Sequence, residues 1–433
     1  MDTIGIAVCG CGTVGSGVVR VLTEQRERLT ARTGRQLLLR HVVVRQLDKA
    51  RPFRVPRELL STDWRAAVRD PAVQVVVELI GGIEPAKSLV LEALQAGKHV
   101  VTANKALLAH HGQEIYETAR RNDRAVAFEA SVAGGVPIIA TLGQSLAANQ
   151  ILSIQAILNG TSNFILSAMD EHGWTYEAAL AEAQRRGYAE ADPTLDVDGS
   201  DATHKLAILA HIAFGVAVPF DAIDRQGIIG ISELDLRFAR ELGYTIKLLA
   251  EGWLKDNTLA LHVAPVLLRN SSPLARVSGA FNAIALVGDI VGETLYQGMG
   301  AGQMPTASAV VADIIDLAVG RAQRTFQSLR LWSATPPALT FCKAEMVSSR
   351  HYLRLLVRDE PGVLSDVTRM LAEEQISISS IIQHEALPEH DSAIVPLVIM
   401  THAAPTYRFH RAAKRIDLLP SVTAKGVHYT VGD

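Results

Sequence analysis

Near its N-terminus the chain reads IGIAVC, then Gly10-Cys11-Gly12-Thr13-Val14-Gly15, then SGVVRVL. An apolar strand, a tight turn built on spaced glycines and an amphipathic helix in immediate succession leave few folds open. Gly10 permits the tight turn, Gly12 lets the backbone approach a pyrophosphate, and Gly15 lets the helix pack closely on the strand. The helix presents Val14, Val18, Val21 and Leu22 as one apolar face. Its first residues, Thr13 and Val14, lie at a helix N-terminus, whose N–H groups suit phosphate oxygens. A merely glycine-rich turn is the plainer alternative, and the strand–turn–helix context argues against it.

The next strand runs out through VVVRQLDK. An acidic residue at that strand end would bind ribose hydroxyls and favour NAD, whereas an arginine can pair with a 2′-phosphate. Arg45 occupies the position, so NADP is the expected cofactor, with NAD left possible by the nearby Asp48.

The first 130 residues alternate short apolar strands with helices, which predicts an α/β fold with a Rossmann-type parallel sheet. Strands are predicted at Ile4–Cys9, Leu38–Arg45, Val75–Leu79, His99–Thr102 and Ala125–Glu129. A second, α+β domain is expected over 131–302 for substrate binding, catalysis and dimerisation. A helix over Pro305–Ala322, within a returning segment 303–332, is expected to pack back on the first domain. SATPPALTFCKAEMVSS reads as a linker (333–350), and 351–433 follows strand-helix-strand-strand-helix-strand order. Strands are predicted at Tyr352–Val357, Ile376–Ile382, Ser392–Met400 and Val422–Val431, with helices at Gly362–Gln375 and Tyr407–Leu418.

At 433 residues, two or three domains are expected. A net charge of −3 supplies no basic field for nucleic acid or an anionic membrane surface. Three cysteines are too few for a disulfide framework and suit a reducing compartment. Cys9 and Cys11 have no second ligand pair spaced to complete a tetrahedral metal site. MDTIGIAVCG has no basic start or cleavage site, so no leader is expected, and the oily run Leu206–Phe220 is interrupted by His211 and Gly215 and too short to span a bilayer. A cytoplasmic address is expected.

The stretch GYAEADPTLDVDGSDATHK crowds Glu190, Asp192, Asp196, Asp198 and Asp201 beside Lys205. A calcium loop with Gly199 at its sixth position would begin at Thr194 and end at Lys205, where a bidentate glutamate is needed. Both ends reject it. A solvated acidic turn is the plainer reading, but Asp201, Lys205, Ile208 and Ile212 recur at helical spacing on one face that turns apolar. A half-buried ammonium beside a carboxylate is what a proton-transferring site needs. His204 and His211 on the same helix are expected to be packed rather than ligands.

Together GCGTVGSGV, VVELIGGIEPA, GKHVVTANKALLA, FEASVAGGVPII, ILNGTSNFIL, GYAEADPTLDVDGSDATHKLAILA, LGYTIKLLA and GMGAGQMPTASAVVAD are spread in order over a span of about 300 residues. The chain resembles the homoserine dehydrogenases, of the long monofunctional kind with a C-terminal ACT domain. Its dinucleotide fold starts at residue 4, so no preceding kinase is expected. The resemblance implies reversible NAD(P)H-dependent reduction of L-aspartate 4-semialdehyde to L-homoserine, in threonine, methionine and isoleucine biosynthesis. It implies Lys205 as acid and base, Asp201 as its orienting partner and Lys105 in the catalytic set near nicotinamide and substrate. Glu190 and Asp196 would take the substrate's ammonium and hydroxyl groups, leaving Asp192 and Asp198 to cap the turn. Gly302 would let backbone approach the cofactor. A monovalent cation, sodium, is implied at Glu129 with the carbonyls of Val132, Gly134 and Val136.

LVRDEPGVLSDVTRMLAEEQISISSIIQ resembles the ACT signature, with Pro361 and Gly362 at the turn and Val363, Leu364, Val367, Met370 and Leu371 as the helix stripe. The resemblance implies a homodimer or homotetramer and an amino-acid effector, threonine. Rival readings are another NADP-dependent amino-acid aldehyde reductase, or a non-catalytic amino-acid sensor that retains the fold. The second is disfavoured by the joint presence of Lys105, Glu190, Asp201 and Lys205.

Overall fold

The computed structural model describes residues 2–51, 53–328, 338–384 and 394–432. The chain divides into two compact units. One holds Met1–Ile154, Asp201–Ile223 and Phe281–Leu339; the other holds Gln155–Ser200, Asp224–Ala280 and Thr340–Asp433.

In the first unit, β1 (Thr3–Cys9), β2 (Gln36–Val43), β3 (Leu60–Ser61), β4 (Val75–Glu78), β5 (His99–Thr102) and β6 (Val126–Ala127) form one sheet in the order β3-β2-β1-β4-β5-β6. Every neighbouring pair is parallel. Such strands are covered on both faces, which is why they read as unbroken apolar runs; Ile6, Val8, Val76, Val77, Val100 and Val101 are all fully buried. The last strand is shorter than the sequence suggests. Glu129–Ser131 forms a 3-10 turn, because the Glu129 carboxylate accepts from the amides of Ile139 and Ala140 and draws the chain out of the sheet. The second strand also ends early, leaving Arg45 in the loop beyond it.

The helix α1 (Thr13–Glu24) follows β1 directly. The returning helix spans Gln303–Ala318 and is followed by a second helix, Arg321–Ser328. It packs against α1 where Gly17 leaves room, since a Cβ there would stand 2.9 Å from Gln303 Cγ and 3.0 Å from Ala307 Cβ. The Asp201 helix, Ser200–Phe214, buries Leu206, Ile208, Leu209 and Ile212.

In the second unit, strands Tyr244–Lys255 and Thr258–Arg269 form an antiparallel hairpin. Strand Val427–Gly432 lies parallel to the hairpin's outer edge, with Val266 opposite Thr430, and carries the sheet onward. Strand Ser348–Arg358 pairs antiparallel with both Val427–Gly432 and Ile394–Thr401, and Ile378–Gln383 closes the far edge. With helices Val363–Glu373 and Thr406–Ile416 this is the ferredoxin-like βαββαβ ACT order. Its core is Leu353, Leu355, Val367, Leu371, Leu397 and Phe409. Leu364, expected in the helix stripe, is 41% exposed; it stands one residue past Val363, about 100° round the helix from the face the sheet covers.

The expected linker is partly regular. Residues 333–337 lie outside those described, but Thr340–Cys342 pairs with Thr258–Ala260 and Ser348 already begins a strand. Residues 392 and 393 of another predicted strand also lie outside the described ones. Among the described residues no helix is long and apolar enough to cross a membrane, and Cys9, Cys11 and Cys342 are free.

Candidate active site

The Lys105 helix, Lys105–Arg121, starts three residues after β5 ends, and Asn104 caps it by accepting the Leu107 amide at 3.1 Å. Asp201 lies in the first turn of its own helix and Lys205 one turn later. The two helices converge on a single carboxylate. Asp201 Oδ2 lies 2.7 Å from Lys205 Nζ, and Asp201 Oδ1 lies 2.8 Å from Lys105 Nζ. Burial alone would raise the Asp201 pKa, but the ammonium charges of Lys205 and Lys105 outweigh it and hold the carboxyl well below its ordinary range. The Lys205 side chain is only 11% exposed, whereas that of Lys105 is 42% exposed. The triad therefore carries a net positive charge, with one buried and one accessible ammonium group on an ionised anchor.

Glu190 and Asp196 belong to the second unit. Asp196 is half-buried, and its Oδ1 accepts from Asn159 Nδ2 at 2.8 Å. Asn159 also caps helix Gly160–His172 through the Ser162 amide, so one amide side chain fixes both the helix start and the carboxylate. Glu190 is exposed, and its backbone carbonyl accepts from Gln184 Nε2. Asp192 accepts from the Thr194 amide and hydroxyl, and Asp198 from those of Ser200. Those two carboxylates are used up in local turn hydrogen bonds, which accounts for part of the crowding of acids.

Just beyond β1, Gly10 has φ +103° and a Cβ there would stand 2.3 Å from Leu79 O. A Cβ on Gly15 would lie 2.0 Å from Gly10 O, so the helix sits tight on the turn, while Gly12 faces open space. Thr13 and Val14 open α1 with no side-chain cap, which leaves their amides suited to phosphate oxygens. Arg45 is exposed just past β2, and the nearby Asp48 pairs with Arg57 Nη1 at 3.1 Å. Gly302 precedes helix Gln303–Ala318 with φ +126°.

Glu129 is buried, its oxygens accept from the amides of Ile139 and Ala140 at 2.8 Å each, and its own amide donates to Asp313 Oδ2 at 2.9 Å. Burial pushes Glu129 up to about 7, and burial with the Glu129 charge pushes Asp313 up as well. Of the expected carbonyl ligands, that of Val136 accepts the Ile138 amide at 2.8 Å, and Gly134 is tied to Gly300 O through its amide. A cavity of about 650 Å³ adjoins Glu129, Gly134, Val136, Met299, Asp313 and Asp316. Two buried carboxyls that favour protons are an environment in which a bound cation relieves repulsion. Neither Lys105 nor Asp201 lines this cavity. Of the helix histidines, His204 stacks on Phe220 at 4.4 Å and His211 packs edge-on to Tyr116 at 5.8 Å.

Sequence reasoning overlooked Glu78, Asn159 and Asp313. Asn159 opens an Asn-Gly-Thr-Ser run that signals an N-cap, and Glu78 is a carboxylate closing an apolar strand. Asp313 sits inside an apolar helix with no local signal.

A glycine turn at the switch point of a parallel sheet, with a lysine–carboxylate–lysine triad carried by two helices of the same unit, defines a nicotinamide-dependent oxidoreductase. Family models match in order along the chain: the homoserine dehydrogenase NAD-binding domain over residues 10–129, homoserine dehydrogenase over 137–315 and the ACT domain over 351–406. The chain belongs to the homoserine dehydrogenase family, oxidoreductases that act on a CH–OH group. It is 42% identical to a homoserine dehydrogenase of Pseudomonas aeruginosa over 435 residues, covering 100% of this chain and 99% of that one. The crystal structure of a homoserine dehydrogenase from Thiobacillus denitrificans matches with TM-score 0.92 at 42% identity, over 100% of this chain and 99% of that one. A hyperthermophilic archaeal homoserine dehydrogenase in complex with NADPH matches with TM-score 0.62 at 28% identity, over 72% of this chain and 97% of that one.

Proposed function

We propose that the chain interconverts L-aspartate 4-semialdehyde and L-homoserine, with Lys205 as the proton donor to the aldehyde oxygen and acceptor in reverse. The observation that carries this reading is the shared carboxylate: Asp201 touches Lys205 at 2.7 Å and Lys105 at 2.8 Å. When bound, the nicotinamide cofactor supplies or accepts hydride at the substrate carbon. Negative charge then grows on the carbonyl oxygen, where a positioned ammonium stabilises it and delivers a proton. Asp201 holds Lys205 in place and, with Lys105 as second counter-ion, keeps its own charge after Lys205 gives up its proton. Lys105 contributes positive potential to substrate and cofactor. Glu190 and Asp196 serve the substrate's ammonium and hydroxyl groups, an assignment that rests on family resemblance.

NADPH is the preferred cofactor in this reading. Support comes from Arg45 in the loop just past β2, the engagement of Asp48 by Arg57 and the NADPH bound to the archaeal relative. Gly10, Gly12, Thr13, Val14, Gly15 and Gly302 line the cofactor's path. Glu129, with carbonyls of Val132, Gly134 and Val136, holds a monovalent cation, sodium, which neutralises buried negative charge. The chain works as a homodimer or homotetramer in the cytoplasm, on the route to threonine, methionine and isoleucine. Threonine inhibits it through the ACT domain, whose sheet continues that of the hairpin Tyr244–Arg269.

The test is NADPH oxidation on adding aspartate semialdehyde, with NADH in parallel and L- or D-threonine as additive. Turnover that is faster with NADPH and suppressed by L-threonine alone is expected. A chain that leaves NADPH untouched would refute the reading, and insensitivity to threonine would refute its regulatory part.

A further inference from the structure

We propose that Glu78 is a positioning residue that couples the cofactor turn to the Lys105 helix, an inference that rests on the reading above. Cys9, Glu78 and Thr102 are the last residues of β1, β4 and β5 and lie opposite one another in register. They stand where the strand order reverses, at the carboxyl edge that faces ligands in this class of sheet. Glu78 is fully buried. Its carboxylate is satisfied by neutral donors: Oε1 accepts the amides of Ile80 at 2.8 Å and Gly81 at 3.1 Å, and Oε2 accepts the Thr102 hydroxyl at 2.6 Å.

Each of those bonds leads to a functional loop. The Leu79 amide donates to Cys9 O at 2.7 Å. The backbone of Leu79 and Ile80 is the surface on which Gly10 turns, because a Cβ on Gly10 would lie 2.3 Å from Leu79 O and 2.9 Å from Ile80 N. By holding the Ile80 amide, Glu78 fixes the wall against which the phosphate turn is shaped. On the other side, Thr102 Oγ1 accepts the Asn104 amide at 3.0 Å. Asn104 in turn donates to Gly82 O at 2.7 Å and caps the helix that starts with Lys105. One carboxylate therefore sets both the floor of the cofactor turn and the start of the lysine helix.

The residue type follows from the hydrogen-bond count. Two separate acceptor atoms are needed, one for two amides and one for a hydroxyl that already accepts from Asn104. A glutamine has one acceptor and would turn two N–H groups toward Thr102 or toward the amides. The cost of leaving buried donors unmatched then appears as displacement of the loops. A displacement near 1 Å costs on the order of 100-fold in rate.

The test uses the full chain with Glu78→Gln, Thr102→Val, Thr102→Ser and the Glu78→Gln/Thr102→Val double variant, each assayed at a temperature where unfolding curves show it folded. The expected result is a loss in kcat on the order of 10- to 100-fold for Glu78→Gln and Thr102→Val, with NADPH Kd raised several-fold. The double variant should be no worse than the worse single one, and Thr102→Ser should stay within about 2-fold of the parent, since it keeps both bonds. Parental kcat and NADPH Kd in Glu78→Gln, or losses that multiply in the double variant, would overturn the coupling. If Glu78→Gln does not fold, the contrast between Thr102→Val and Thr102→Ser decides, and equal behaviour of the two overturns it. NADPH Kd, read from cofactor fluorescence, tests Glu78 even if the parent does not turn over aspartate semialdehyde, a result that would refute the substrate and leave Glu78 to the binding data.

Discussion

Arg354 grips both oxygens of Asp235, Nε to Oδ1 at 2.6 Å and Nη2 to Oδ2 at 3.1 Å, with the carboxylate fully buried. Tyr352 donates to the same Oδ1, and Ser232 donates its amide and hydroxyl to Oδ2 in the capping box of helix Glu233–Glu241. The ACT strand Ser348–Arg358 is thereby bolted to a helix outside the ACT domain. Removing one partner leaves a buried, uncompensated charge. Arg354→Ala should cost about 3–5 kcal/mol in urea unfolding, whereas Arg354→Met combined with Asp235→Leu should recover much of that. Equal losses in both variants would show that the pair is not the source of the stability.

Lys205→Ala is expected to lower kcat by about 10²- to 10⁴-fold. NADPH affinity should stay near the parent if Lys205 acts on the substrate oxygen rather than on the cofactor phosphates. A variant turning over at the parental rate sinks the role given to Lys205.

The depressed pKa of Asp201 fixes a sign. Its stabilising contribution is complete above the ordinary carboxylate value of 3.8 and disappears as pH falls through the lower value of the folded state. Asp201 should therefore stay ionised across neutral pH, and Asp201→Asn should flatten the acid limb of the stability curve while reducing kcat. Unfolding free energies of parent and variant from neutral pH to below about pH 2 give the comparison, and parallel curves over that range would exclude Asp201 from the acid transition.

Glu129 has the opposite sign. Its folded value of about 7 lies above the ordinary 4.5, so the folded chain holds the proton more tightly and loses stability as pH rises between the two. The proposed cation would offset the loss. Melting temperatures should rise with NaCl relative to N-methylglucamine chloride at pH 8, and much less at pH 5. Glu129→Gln should abolish the difference, and an identical salt response at both pH values would remove the cation from this site.

Deleting residues after Ser349 is the obvious way to separate catalysis from regulation, and the structure shows why it is a poor one. The cut strips Val427–Gly432 from the hairpin edge and leaves Asp235 buried without Arg354. The truncated chain should melt lower than the parent and lose soluble yield. A truncation with the parental melting curve would show that the shared sheet is dispensable.

What the sequence disclosed was set by distance along the chain. The Gly10–Gly15 turn and the Asp201–Lys205 pair follow from spacing within one or two turns, and both are present as read. The contact of Lys105 with Asp201 joins helices far apart in sequence, and nothing in either segment's periodicity predicts it. Thr340–Cys342 reads as linker because the segment around it has prolines, serines and no helical period, yet it finds a place on an edge that only the assembled hairpin provides. Arg354 and Asp235 each resemble ordinary surface charges until the fold buries them together.

The seating of Val427–Gly432 beside Val266–Leu268 bears on how the chain is made. While a ribosome is still translating the intervening segment, Val266–Leu268 have donors and acceptors exposed and no native neighbour on that flank, although His262 and Val263 beside them already face Asp224–Arg225. Nascent chains crowded on one message present the same bare flank to each other. Sequestering it until residue 427 emerges is a task for chaperones or for rapid synthesis of the stretch between.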